Sequence, residues 1–372
     1  MRFPEFEGEW EKCKLGELAV KVGSGSTPKG GNAVYTTSGH CFVRSQNVGM
    51  GHLILNDIAY IDESTHQKQK STELRTNDVL LNITGASIGR TALATEEING
   101  GNVNQHVCII RTNSNVEPSY ICDYIQTSKI QKYIQSLQTG GSREGLNFEQ
   151  IRSFPINIPT VEEQVKIAKL LSLINERIAT QSKLIEKLES LIKGLRVSLM
   201  QMENGNIVHL GEIARIYQPQ TISSTELTED GFLVYGANGI IGKYKQYNHK
   251  TEQICITCRG NTCGMVNYTK PMSWITGNAM VINTDEHQNK VCKRYLYHYL
   301  SAYNFNSIIS GSGQPQIVRT PLEKLEITLP SIFDQEQKAM LLDRIQAKIE
   351  ISNRVLNLYQ EQKQYLLRQM FI

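Results

Sequence analysis

Two stretches of this chain, 171 residues apart, carry the same stripe of apolar residues in the same phase. In the first, Ile167, Leu171, Ile174, Ile178, polar Gln181, Ile185, Leu188, Ile192, Leu195 and Leu199 follow one another in alternating steps of four and three. That period marks a helix whose narrow seam packs on another helix. From Pro159 to Met202 such a helix runs to roughly 60 Å at its rise per residue, longer than a globular domain uses. Only Gly194 interrupts it, and Asn204-Gly205-Asn206 supplies a stop. Shifting by 171 residues lays Leu170, Leu171, Ile174 and Ile178 on Leu341, Leu342, Ile345 and Ile349, and Pro159 on Pro330. Gln181 falls on Ser352, Ile185 on Leu356, Leu188 on Tyr359 and Leu195 on Leu366, while Ile192 meets Lys363. One such stripe alone is an ordinary core-facing helix. Two in matched phase, with a polar residue inside both seams, are partners whose register that residue fixes.

The matched helices divide the chain into a globular segment 1–158, a helix 159–203, a second globular segment 204–329 and a second helix 330–372. Smaller motifs repeat in the same order. Leu15-Gly-Glu-Leu-Ala19 returns as Leu210-Gly-Glu-Ile-Ala214. A buried-strand run, Val79 to Thr84, leads into Gly85-Ala-Ser-Ile-Gly-Arg90, and Ile254 to Thr257 leads into Arg259-Gly-Asn-Thr-Cys-Gly264. Val107 to Arg111 answers to Ala279 to Asn283, and Tyr-rich amphipathic stretches with glycine loops follow in both halves. The expected fold is mixed α/β: two globular domains separated by two long antiparallel coiled-coil helices, related by an internal pseudo-two-fold axis.

At 372 residues, 40% hydrophobic and 20% charged, the chain has material for two sizeable cores and nothing that calls for wholesale disorder. No run of 18 apolar residues exists, so no membrane span is expected. An acidic N-terminus without an apolar core is unlike a secretory signal, and eight irregularly spaced cysteines suit a reducing compartment. The expected address is cytoplasmic. Charge is informative only locally. Residues 1–158 carry 15 basic and 16 acidic side chains, yet none from Ala19 to Asn56 is acidic, and between Gly231 and Thr284 only Glu252 is. Both tracts are rich in Asn, Gln, Ser, Gly and Tyr, the residue types that contact phosphates and base edges.

In order and duplication these motifs resemble the specificity subunit of a type I DNA restriction-modification system. The resemblance covers nearly the whole chain. Besides the layout it rests on Gly25-Ser-Thr-Pro28, Asn82-Ile-Thr-Gly-Ala-Ser-Ile-Gly-Arg90, Asn102-Val-Asn-Gln-His-Val107 and Ile158-Pro-Thr-Val-Glu-Glu-Gln164. The second copy departs from it at Cys258-Arg-Gly-Asn-Thr-Cys-Gly264 and Ser331-Ile-Phe-Asp-Gln335. The resemblance implies that each globular domain is a target recognition domain reading half of a bipartite double-stranded DNA site. It also implies that the helices space the half-sites and dock two modification subunits, with restriction subunits joining. The chain itself is then expected to be inert and free of cofactors, with S-adenosylmethionine, ATP and magnesium bound by the partner subunits. No Asn/Asp-Pro-Pro-Tyr/Phe motif, Walker A loop or His-Glu-x-x-His pair occurs. Two alternatives stay open at this stage: a specificity subunit of a methylation-only complex, and a coiled-coil adaptor that binds no DNA.

Candidate DNA-binding residues are the polar side chains at strand ends and loops of the acid-poor tracts and glycine loops. In the first domain they are Lys29, Arg44, Gln46, Asn47, Ser87, Arg90 and Arg143. In the second they are Lys243, Tyr244, Lys245, Arg259, Asn261 and Gln314. The helix seam is assigned to Ile167, Leu171, Ile174, Ile178, Ile185, Leu188, Leu342, Ile345, Ile349 and Leu356. Cys255-x-x-Cys258 with Cys263 and His249 is a candidate zinc set, but lacking a second close pair the cysteines read as small core residues, and no metal is expected.

Overall fold

The structure is a computed structural model that describes residues 1–30, 34–138, 145–201, 205–311 and 313–371. It divides into two compact units, Met1–Ser182 with Val355–Ile372, and Lys183–Arg354. These borders fall inside the long helices, because each unit takes a portion of both.

Eighteen strands are formed among the described residues: β1 (Glu11–Lys14), β2 (Ala19–Ser24), β3 (His40–Val43), β4 (Ala59–Ile61), β5 (Val79–Asn82), β6 (Thr91–Leu93), β7 (Asn102–Val103), β8 (Val107–Thr112), β9 (Pro155–Ile158), β10 (Asn206–His209), β11 (Arg215–Tyr217), β12 (Phe232–Gly236), β13 (Gly239–Tyr244), β14 (Ile254–Thr257), β15 (Val266–Tyr268), β16 (Trp274–Ile275), β17 (Ala279–Asn283) and β18 (Glu326–Leu329). The first nine build a four-stranded sheet β2-β8-β5-β6, a three-stranded sheet β4-β3-β7 and the pair β1-β9. The last nine repeat this as β11-β17-β14-β15, β13-β12-β16 and β10-β18. Even the odd parallel contact recurs, β3 with β7 and β12 with β16.

Strand β5 shows why its sequence is an unbroken apolar run. Val79 and Leu81 enter a core shared with the helix Pro118–Ile125, whereas Leu80 enters a second core with Val43, Val103 and Ile109. A strand covered on both faces has no polar side to alternate with. Its counterpart β14 divides likewise: Ile254 and Ile256 enter one core and Cys255 another, while Cys258 joins the first. The cysteines of the C-x-x-C pair therefore face different cores, and the His249 ring is stacked at 17° on Tyr217, whose hydroxyl lies 2.8 Å from its Nε2. Among the described residues no group of three His, Cys, Asp or Glu is placed to hold a metal.

The repeated motifs have matching physical reasons. Gly16 and Gly211 lie where an added Cβ would come within 3.0 Å of the Arg152 Cβ and 3.1 Å of the Glu323 Cβ, so glycine lets two short helices approach closely. Leu15 and Leu210, fully buried beside them, donate backbone N–H groups at 2.9 Å to Phe154 and Leu325. Where the long helices begin, a buried glutamine ties helix to domain. Gln164 Nε2 donates to Pro159 O at 2.9 Å and its Oε1 accepts from Glu117 N at 2.9 Å. Gln335 repeats this with Pro330 O at 2.9 Å and Cys292 N at 2.8 Å.

The helices themselves span Val161–Met200, 40 residues, and Ile332–Met370, 39 residues. Of the assigned seam, Ile167, Leu171, Ile174, Ile185, Leu342 and Ile349 are buried, while Ile178, Leu188, Ile345 and Leu356 are half-buried. In the first unit Ile167, Leu171 and Ile174 share a core with Leu366, Leu367, Met370 and Phe371, and the Arg177 guanidinium lies 5.9 Å over the Tyr359 ring. Numbering thus rises along one helix as it falls along the other. In the second unit Ile192 and Met200 share a core with Ala339, Leu342 and Ile349. No helix among the described residues is long and apolar enough to cross a membrane.

Candidate functional site

In the first domain the chain leaves buried strand β5 through Ile83 and Thr84 and turns through Gly85 to Arg90. Ile83 N donates to His106 O at 3.0 Å, and Leu146 N donates to Ile83 O at 2.9 Å. The strand exit is therefore clamped between the loop before β8 and the segment after the glycine loop. Gln46, Ser87 and Arg90 come together here with Ser45, Thr84 and His106 around an open depression of about 410 Å³. Arg90 and Gln46 are exposed and Ser87 is half-buried. Lys29 is exposed on the loop that holds Thr27, whose hydroxyl donates to Gln105 Oε1. Gly25 lets that loop cross close to β7, since a Cβ there would overlap the Val103 carbonyl oxygen at 1.7 Å.

Two candidates of this domain are engaged inside the fold. Asn47 is 1% exposed; its Oδ1 accepts from Arg44 N at 3.0 Å and its Nδ2 donates to Ile54 O at 2.9 Å. That amide shapes the loop, which is why an Asn suited to reading adenine is not presented. Arg44 donates through Nη2 to Asp57 O at 2.7 Å and lies 5.5 Å over the Tyr35 ring. Gln46 Nε2 also donates to Asp57, at 2.6 Å to Oδ2, from an exposed position. Arg143 lies outside the described residues.

The second domain builds the same exit from different side chains. Cys258 N donates to Asn278 O at 3.4 Å, and Ile317 N donates to Cys258 O at 3.0 Å. Arg259 pairs with Gln316 as Thr84 pairs with Gly145, and Gly260 N donates to Pro315 O at 3.0 Å. Arg259, Asn261 and Gln314 are thus neighbours in one exposed loop pair. Arg259 lines a depression of about 350 Å³ with Tyr217, Gln218, Gln316 and Arg319.

Lys243, Tyr244 and Lys245 do not belong to that cluster. The Arg259 loop meets the turn of the β12–β13 hairpin, where Thr257 Oγ1 donates to Ala237 O and Thr262 Oγ1 to Asn238 Oδ1. Lys243 and Tyr244 pair with Leu233 and Phe232 at the opposite end of the hairpin, roughly 20 Å along the strand. There Lys243 lies 3.7 Å from the fully exposed Asp230 and the Tyr244 ring packs at 80° against Trp274. Residues overlooked in the sequence are Thr84, Gln105, His106, Asn238, Gln218 and Gln316. Gln105-His106, two large polar residues directly before buried Val107, was the available signal; the others depend on which loops meet.

A polar, concave strand exit that occurs twice, carried by two copies of one topology, invites comparison with known proteins. The profile of the type I restriction modification DNA specificity domain matches the chain twice, over residues 7–190 and 202–359. The chain belongs to that family. Among curated relatives, the Escherichia coli type I restriction enzyme EcoprrI specificity subunit is 32% identical over 140 residues, 36% of this chain and 34% of that protein. The putative type I restriction enzyme MjaX specificity subunit of Methanocaldococcus jannaschii is 23% identical over 389 residues, covering 94% of this chain and 90% of its own length. In fold, the chain is similar to the S subunit of a type I restriction-modification system from M. genitalium, with TM-score 0.71 at 16% identity over 100% of this chain and 99% of that one. A chain from a study of complex assembly and conformational transition of the type I system aligns with TM-score 0.56 at 16% identity, covering 99% and 98%. The family resemblance read from the motifs, the mixed α/β fold and the internal repeat agree with these matches.

Proposed function

We propose that this chain is the DNA sequence-recognition subunit of a type I restriction-modification complex, with one domain reading each half of a bipartite site. The observation that carries this reading is the duplicated strand exit. In each domain a buried central strand delivers polar side chains to an open rim, and their identities differ between copies while the backbone bonds around them are retained. A scaffold held constant under a variable polar rim is what reading two different sequences requires. The long helices dock the modification subunits, two per chain, with restriction subunits joining the assembly. Methyl transfer to adenine with S-adenosylmethionine, and ATP- and magnesium-dependent cleavage, belong to those partners, and this chain contributes recognition without chemistry.

The test is to map methylated adenine in DNA from cells carrying this chain with its modification subunit and from cells lacking only this chain. A split motif with methyladenine in each half, lost when the chain is absent, is the expected result. Unchanged methylation despite a stable complex would favour a coiled-coil adaptor that reads no DNA. Methylation without cleavage of unmodified DNA would place the chain in a methylation-only complex.

A further inference from the structure

The matched backbone bonds make residues of the two domains comparable one by one. Ile83 and Cys258 hold the same place, each donating to the loop before the next central strand and accepting from the segment after the glycine loop. The next residue is Thr84 in the first domain and Arg259 in the second, and each forms the isolated bridge to that segment. We infer that this position determines specificity in both domains, and that the half-site read by the second domain contains a guanine contacted by Arg259. The inference deepens the proposed function and rests on it.

The two side chains are prepared differently. In the first domain a hydrogen-bonded chain ends on Thr84. Thr27 donates to Gln105 Oε1, and Gln105 Nε2 donates to His106 Nε2 at 3.0 Å. The His106 proton then sits on Nδ1 and is donated to Thr84 Oγ1 at 2.5 Å. With its oxygen accepting, the Thr84 hydroxyl keeps its own proton for an outside acceptor. It presents a single short donor, which suits several base edges. Among the described residues of the second domain no such chain exists at Arg259. Its side chain is exposed, and among the described residues it has no hydrogen bond or ion pair, whereas Arg319 on the same rim is held by Glu323 at 2.6 Å. Arg44 and Arg294 are likewise engaged, with Asp57 and Asp343. A free, planar, two-pronged donor on a concave rim matches the O6 and N7 acceptors of guanine in the major groove.

The experiment uses the full chain assembled with its modification subunit and a duplex library randomised in both half-sites, read by selection and sequencing. Arg259→Ala is expected to lose about tenfold or more of its preference for guanine at one position of one half-site, with the other half-site unchanged. Arg259→Lys is expected to recover only part of the preference for guanine, because an ammonium can reach O6 or N7 but lacks the rigid planar fork that engages both in fixed geometry. Thr84→Ala is expected to change one position of the other half-site only. Equal weakening for every sequence with rescue by Arg259→Lys would overturn the inference in favour of a phosphate contact, and so would no change or a change in both half-sites. If the unaltered complex itself selects no motif, the proposed function fails instead, so the two failures are distinguishable. Thermal melting of both Arg259 variants should match the parent, since that side chain touches nothing whose loss would unfold the domain.

Discussion

The two units use one topology but fasten their helices to their domains with different chemistry. In the first, Lys363 of the second long helix is only 8% exposed and donates to Gln126 Oε1 at 2.8 Å, close to Asp123, which is 5% exposed. Burial raises the Asp123 carboxyl to about 7 even though the Lys363 charge opposes that rise, and burial lowers the Lys363 ammonium. In the second, the contact is a half-buried network. Arg294 Nε donates to Asp343 at 2.9 Å, His298 Nε2 donates to Asp343 Oδ1 at 2.9 Å, and Arg196 Nε donates to His298 Nδ1 at 3.2 Å. Although partial burial opposes it, hydrogen bonds from His298 and Arg294 hold the Asp343 carboxyl down at about 2. Where one repeat has Ile192 in its seam, the other has Lys363, so an apparent flaw in the heptad pattern is a polar fastening to one domain. The apolar frame sets where helices and sheets meet, and the polar groups at the joins are free to differ.

Cutting the shared frame should have the largest effect and should act alike in both units. Leu171→Ala and Leu342→Ala, at fully buried seam positions, are each expected to cost about 2–5 kcal/mol. Hydrogen exchange should show lost protection chiefly in the unit that holds the substitution. Small or delocalised losses from both would mean that the seam does not organise the two cores.

The polar fastenings should separate the units by pH. Because folding raises the Asp123 carboxyl, the folded state binds its proton more tightly than the unfolded chain. That contribution is full below the unfolded value near 4 and is lost as pH rises toward 7, by at most about 1.4 kcal/mol per pH unit. Denaturant unfolding of Asp123→Asn should lack this slope, whereas an unchanged slope would exonerate Asp123. Asp343 has the opposite sign. Its stabilisation is present above about 4 and disappears as pH falls toward 2. With its side chain 32% exposed, solvent screening holds the effect of Asp343→Asn to about 1 kcal/mol at neutral pH. The loss should vanish at pH 2, and a loss that persisted there would implicate packing.

Repetition made much of this legible in the sequence. Paired stripes, paired Leu-Gly-Glu motifs and paired strand runs each carry a local signal, and their fixed offset links them without any knowledge of contacts. Gln164 and Gln335 were visible as motif members, but their role required knowing that Glu117 and Cys292 present free N–H groups beside them. The candidate site was less legible, because composition identifies polar loops without telling which side chains the fold engages. Asn47 looks like a base reader until its amide is seen closing its own loop. Lys243 and Lys245 fall in the same acid-poor tract as Arg259 yet lie at the other end of a hairpin. Thr84 and His106 each lie in a motif legible in the sequence, but their pairing joins residues 22 positions apart and no local pattern marks it.

The most direct test replaces residues 205–329 with the corresponding segment of a relative that directs methylation of a different bipartite motif, followed by methylation mapping in cells with the modification subunit. One half of the motif should change to the donor's and the other half should persist. A motif altered in both halves, or in neither, would contradict the assignment of one half-site to each domain.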